Sequence, residues 1–234
     1  MAKAFSHWKV LPHDPIRVLA ENLWTCEGSI PGMALKRVGS FARLEDGGLV
    51  LHNAMALDDA SMARLTAWGT PKILLVPNAF HRLDARIVKD RFPGLRVLCP
   101  AGARKKVEDV VPVDGTYADF PSDPRVKIHY LDGLAEQEGV LEVKSDDGTT
   151  LIFNDVVFNQ PHLPGFGGLI FRLMGSSGGP KVTFIARTFI VKDKKALRAH
   201  LERLAALPDL ERIVVMHGGM MTDPADLRAA AAWL

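Results

Sequence analysis

The stretch Lys72–Ile87 reads KILLVPNAFHRLDARI, and its interpretation decides the fold. Ile73-Leu74-Leu75-Val76 is an unbroken apolar run, the pattern of a strand buried on both faces. It stops at Pro77-Asn78, and His81, Arg82 and Asp84 crowd into the next few residues before a helical pattern starts. Open α/β sheets keep their ligands at the carboxyl ends of such strands, so this turn is the first place to look for a site.

The neighbouring sequence supports that reading. A helix is expected from about Leu83 to Arg91, closed by Phe92-Pro93-Gly94, and a strand over Arg96–Cys99. Strand, helix and strand of these lengths form a βαβ unit with parallel pairing. Before it, Leu35–Leu44 and Leu49–His52 flank the turn Glu45-Asp46-Gly47-Gly48, a hairpin signal. Asp58-Asp59 can cap a helix that runs to about Trp68. After it, Gly139–Lys144 and Thr149–Asn159 flank Asp146-Asp147-Gly148, a second hairpin. Asp193–Leu207 has an amphipathic helical pattern, Ile213–Met216 reads as another buried strand, and Asp223-Pro224 opens the last helix. Met1–Asp14 reads as a polar arm, and Leu163–Leu173 as an apolar connection, mobile or loosely helical. The expected class is α/β, with residues 1–234 forming one domain.

Charge and composition remove several function classes. The 29 basic and 27 acidic residues are well mixed, and the short basic runs carry no interleaved aromatics, which argues against nucleic acid as a partner. Cys26 and Cys99 lie far apart, so neither a zinc ribbon nor a disulfide framework is expected. No apolar run approaches the roughly 18 residues of a membrane span, and the N-terminus lacks a signal-peptide core. A cytoplasmic protein acting on a small molecule is the expectation. His7, His13 and His200 are expected to be exposed.

Three sites share one design, a buried strand that stops at a titratable residue. They are Asn78–Asp84, Asn154-Asp155 within LIFNDVVF, and His217-Gly218-Gly219 after Ile213–Met216. An ionised Asp155 in an apolar run is costly unless a metal, a cation or several donors compensate it. The glycines after His217 suggest a backbone that bends sharply to aim the imidazole.

This ordered series resembles the metallo-β-lactamase superfamily, and VPNAFHRLDARIVKDRFPGLRVLCPAGARKKV resembles an uncharacterised branch with a Pro-Asn-x-x-His pattern. The resemblance covers about Ile16 to His217. It implies a four-layer αββα sandwich with a metal site, usually zinc, where two sheets meet. It also implies that Asp155 is the bridging carboxylate and His217 the last histidine ligand. The chain departs from the pattern in two places. The signature His-x-His-x-Asp-His should fall at Asn78–Asp84, where only His81 and Asp84 could substitute, out of register. The middle histidine should fall near Gly133-Leu134, where there is none.

The expected metal set is therefore His81, Asp84, Asp155 and His217, enough for at most one divalent metal (zinc, iron or manganese). Asp84 and Asp155 are the expected catalytic carboxylates, with Asn78 and Arg82 as binding residues. Arg82 could instead pair with Asp155 and replace the metal. Two functions follow: metal-dependent hydrolysis of an ester, lactone, thioester or phosphoester at a depleted site, or metal-free binding of an anionic small molecule by Arg82, His81 and His217. A homodimer through Leu163–Leu173 is a further expectation.

Overall fold

The computed structural model describes residues 3–234; the first two residues of the expected arm lie outside them. The first sheet has seven strands in sequence order: β1 (Arg17–Ala20), β2 (Leu23–Ser29), β3 (Lys36–Arg43), β4 (Gly48–His52), β5 (Thr70–Leu75), β6 (Arg96–Cys99) and β7 (Gly115–Thr116). Pairing is antiparallel from β1 to β4 and parallel from β4 to β7. The switch is forced by the connections. A tight turn joins β3 to β4, whereas α1 (Asp59–Trp68) and α2 (Ala85–Arg91) cross over between β4, β5 and β6. The short α3 (Arg104–Glu108) follows β6.

The second sheet combines β8 (Val126–Tyr130), β9 (Gly139–Ser145), β10 (Gly148–Phe153) and β13 (Leu210–Val215), ordered β13-β10-β9-β8. Only the β10–β13 pairing is parallel. A two-stranded ribbon of β11 (Val157–Gln160) and β12 (Gly179–Val182) lies beyond β10. The remaining helices are α4 (Gly165–Leu173), α5 (Lys194–Leu204) and α6 (Pro224–Ala231), with one π-helical turn at Ala186–Ile190.

The apolar strands divide their side chains among three cores, and that division gives the four layers. In β4 to β6, Leu49, Leu51, Leu74 and Val97 pack with Met62, Leu65 and Val88 of α1 and α2. Their strand neighbours Val50, Ile73, Leu75 and Leu98 turn the other way, onto Leu141, Ile152 and Val214 of the second sheet. Leu151, Phe153, Ile213 and Val215 then face Leu197, Leu201 and Leu227 of α5 and α6. Each buried strand alternates between two apolar cores, so continuous apolar runs are required instead of alternation with polar residues. The result is an αββα sandwich.

Leu163–Leu173, expected as a mobile or loosely helical connection, carries the helix α4, so the helical reading stands. Three expectations are corrected. The Thr149–Asn159 run breaks after Phe153, so Asp155 sits in the gap between β10 and β11 and not within a strand. The arm is less polar in its contacts than its composition suggests: Trp8 donates from Nε1 to the Leu57 carbonyl and stacks on Arg91. His13 and His200 are also mostly enclosed, with side chains 6% and 13% exposed, because each pairs with an acidic side chain.

Among the described residues, no helix is long and apolar enough to cross a membrane.

Candidate metal centre

Asn78 organises the turn after β5. Its Oδ1 accepts from the backbone N–H groups of Phe80 and His81, at 2.9 and 3.1 Å, which closes a local turn and presents His81. Its Nδ2 donates 2.9 Å bonds to both Glu138 Oε2 and Asp155 Oδ2. One amide thus fixes the two residues that matter most in this corner of the site. Glu138 Oε1 accepts from the Val156 N–H, which holds the β10–β11 gap in place around Asp155.

His217 is aimed by the backbone that follows it. Gly218 has φ +109°, and a Cβ there would lie 2.1 Å from the Asn159 carbonyl oxygen, so only glycine lets β11 approach so closely. The Asn159 N–H in turn donates to the His217 carbonyl. On the imidazole, Nδ1 lies 2.7 Å from the Lys36 carbonyl oxygen. A carbonyl can only accept, so Nδ1 carries a proton and the Nε2 lone pair points away from it.

These constraints bring His81, Asp155 and His217 together, with one potential ligand atom from each within 4.8 Å of the others. His81 Nε2 is 2.8 Å from Asp155 Oδ1, and His217 Nε2 is 3.7 Å from the same oxygen. The side chains are only 6–16% exposed. Burial works against the charged form of His81, but the charge and hydrogen bond of Asp155, helped by Glu138, hold it above its usual range. Asp155 is likewise burdened by burial, yet His81, His217 and the Asn78 amide hold it below the ordinary carboxylate range. His217 is lowered by burial and by His81. Glu138 is pushed up to about 8, first by burial and then by Asp155.

The donor set fits one divalent cation. It offers one ionised carboxylate and one neutral imidazole whose tautomer is fixed by a backbone carbonyl, the arrangement that orients metal-binding histidines. The third donor, His81, must give up its proton to bind, as imidazole ligands do. Three protein donors are also the number used by catalytic zinc sites, which keep a further position for water or substrate.

Asp84 does not join this cluster. It is 1% exposed, pairs with the buried Arg37 guanidinium, and accepts from the Ala56 N–H at 3.0 Å. At the start of α2 it offsets the charge of Arg37 in β3 and is absent from both the cluster and the cleft lining, which corrects the expectation of a fourth ligand or catalytic carboxylate. Arg82 does not pair with Asp155 either. It donates to the Lys106 carbonyl and lies 3.6 Å from Asp109. The guanidinium on which an anion-binding site would rest is already paired.

Glu138 and Arg37 were missed by sequence reasoning. Glu138 stands in AEQEG, where three acidic or amide residues look alike, and no local pattern singles it out. It comes from the segment between β8 and β9, where the superfamily pattern would place a histidine. Arg37 lies in a β3 sequence whose burial depends on the distant Asp84.

The cluster opens into a cleft of about 1110 Å³, lined by the N-terminal arm, the β2–β3 turn, the β5–α2 turn, Phe158, α4 and the π-helical turn.

No protein-family model matches this sequence, and no curated protein matches it. Solved structures do. A metallo-beta-lactamase from Pontibacter korlensis superposes with a TM-score of 0.62 at 13% identity, over 93% of this chain and 98% of that one. DIM-1 metallo-beta-lactamase, in a crystal exposed to ceftazidime, superposes with a TM-score of 0.62 at 12% identity, over 96% and 99%. The metallo-beta-lactamase FIM-1 from Pseudomonas aeruginosa, in its mono-zinc form, gives 0.57 at 11% identity, over 94% and 96%. Matching of this extent at such low identity establishes architecture alone, and the architecture is the metallo-β-lactamase fold.

Proposed function

We propose that the protein is a hydrolase with a single divalent metal held by His81, Asp155 and His217, acting on an ester, lactone, thioester or phosphoester. The observation that carries this reading is the convergence of two imidazoles and one carboxylate at one end of a large cleft. A bound divalent ion would act there as a Lewis acid on the substrate oxygen and would lower the pKa of a water molecule.

The chain's own residues account for the rest. Lys36 fixes the His217 tautomer through its carbonyl, and Asn78 holds Asp155 through Oδ2, leaving Oδ1 directed at the two imidazoles. Enclosure of these side chains strengthens every electrostatic interaction at the reacting centre. In hydrolysis of an ester the water oxygen bonds to the carbonyl carbon and the acyl–oxygen bond breaks. One water proton passes to the departing alkoxide, giving an acid and an alcohol. We assign to Asp155 the orienting of that water, in keeping with its Oδ1 standing between the two imidazoles.

A panel of p-nitrophenyl butyrate, a γ-lactone, an S-acyl thioester and bis-p-nitrophenyl phosphate, assayed with zinc or manganese supplied, tests this reading. Turnover of at least one is expected, falling more than about a hundredfold in Asp155→Ala and His217→Ala. Asn78→Ala, which touches the ligands only from behind, should lose about 10- to 100-fold. Turnover that survives unchanged in Asp155→Ala and His217→Ala would place the reaction elsewhere.

A further inference from the structure

Resting on the hydrolase reading, we infer that the substrate carries a long hydrocarbon chain: the protein acts on a lipophilic acyl derivative. The cleft volume of about 1110 Å³ lies just above the usual range for small-molecule sites. A short ester at the His81–Asp155–His217 cluster would leave most of that space unfilled. The unused wall is apolar. Met33 and Leu35 from the β2–β3 turn, Phe158 from β11, Phe171 from α4, and Ile185 and Ile190 at the π-helical turn all line it.

This lining begins at the cluster itself, because the Phe158 ring packs on His217 with ring centroids 5.0 Å apart. A chain attached to a group held by His217 would therefore meet apolar surface at once. Met33 and Ile185 are 49% and 40% exposed, so this wall faces water unless something covers it. The same elements carry Phe166, Leu173 and Phe189, at 78%, 79% and 68% exposure, just outside the cleft. The fixed charges in the lining are Lys3, Arg37, Arg82 and Arg86 against Asp109 and Asp155, so basic side chains outnumber acidic ones and a neutral or anionic head group suits the cleft better than a cationic one.

Binding of sodium butyrate, octanoate and dodecanoate, measured by titration calorimetry with and without zinc, tests the chain requirement independently of turnover. Each carboxylate mimics an acyl product. Each added methylene can gain up to about fourfold in affinity, from ~0.8 kcal/mol per buried CH₂. Chain ordering takes back part of that gain, and the expected difference between butyrate and dodecanoate is at least about a hundredfold. Met33→Glu and Ile185→Asp alter exposed side chains and should leave folding intact, which the thermal midpoint checks. Both should weaken dodecanoate at least about tenfold and leave butyrate within about twofold. Equal affinity for butyrate and dodecanoate, or a length preference untouched in both variants, overturns the inference. The two readings also fail separately. Ester hydrolysis at a rate indifferent to chain length sinks the chain requirement alone. Selective dodecanoate binding with no turnover of a dodecyl-chain ester, lactone, thioester or phosphodiester sinks the hydrolase reading alone.

Discussion

Asp84→Ala should destabilise the protein by about 3–5 kcal/mol, because it leaves the Arg37 guanidinium buried without its counter-charge. The Ala56 N–H, which now donates to Asp84 Oδ1, would lose its acceptor as well. Total stabilities of folded domains are about 5–15 kcal/mol, so a loss of this size brings the chain near unfolding. The double variant Arg37→Met with Asp84→Leu removes both charges together and should recover most of the loss. Urea unfolding of the three proteins measures this directly. A loss below about 1 kcal/mol in Asp84→Ala would show that the pair is not structural and would return Asp84 to consideration as a functional carboxylate.

The second large effect is acid sensitivity from His52. This side chain is fully buried beside Asn154, its Nδ1 has no partner, and burial together with the nearby His81 pushes its pKa down to about 3. In the unfolded chain the same imidazole titrates near 6.5. Above that pH both states are neutral and His52 has no effect on the balance. As pH falls from about 6.5 towards 3, the unfolded chain takes up a proton that the folded protein refuses, so stability declines by up to about 1.4 kcal/mol per pH unit. Between pH 7 and pH 4 this amounts to about 3 kcal/mol. Glu138 acts in the opposite sense: its raised pKa makes the folded state bind more protons between about 4.5 and 8, so its contribution grows as pH falls. Comparison with His52→Gln isolates the histidine. Urea unfolding at pH 7 and pH 4 should show an acid loss about 3 kcal/mol smaller in the variant. An identical acid loss in both proteins would remove His52 as the cause.

Much of this architecture was legible from one kind of signal. Ile73–Val76, Val97–Cys99 and Ile213–Met216 are apolar without alternation, which only strands covered on both faces require. Three such strands joined through helices leave few arrangements open. The glycine turns at Asp46-Gly47 and Asp147-Gly148 supplied the hairpins, and Asp58 caps α1 by accepting from the Ser61 N–H. All three cluster residues were in the expected metal set: His81 by its place in the turn after a buried strand, and Asp155 and His217 because a carboxylate and a glycine-followed imidazole are unexpected at the ends of apolar runs.

Long-range charge pairing was not legible. Asp84 and His81 are three residues apart and equally plausible as ligands on paper. They separate only because α2 turns Asp84 towards Arg37, 47 residues earlier in the chain. Arg82 was misread for the same reason, since Asp109 and the Lys106 carbonyl reach it from α3 and the residue just after it. Glu138 carried no local mark because its burial depends on Asn78, 60 residues away. The helix of α4 was legible only as a loose one, because three glycines weaken helix propensity without forbidding the structure.

The central claim is that His81, Asp155 and His217 hold one metal ion. The most direct measurement is the metal content of protein purified without chelator, determined by elemental mass spectrometry for the wild type, Asp155→Ala, His217→Ala and Asp84→Asn. Close to one equivalent of zinc, iron or manganese per chain is expected in the wild type and in folded Asp84→Asn, with loss in both ligand variants. Substoichiometric metal that is indifferent to Asp155→Ala and His217→Ala would contradict it.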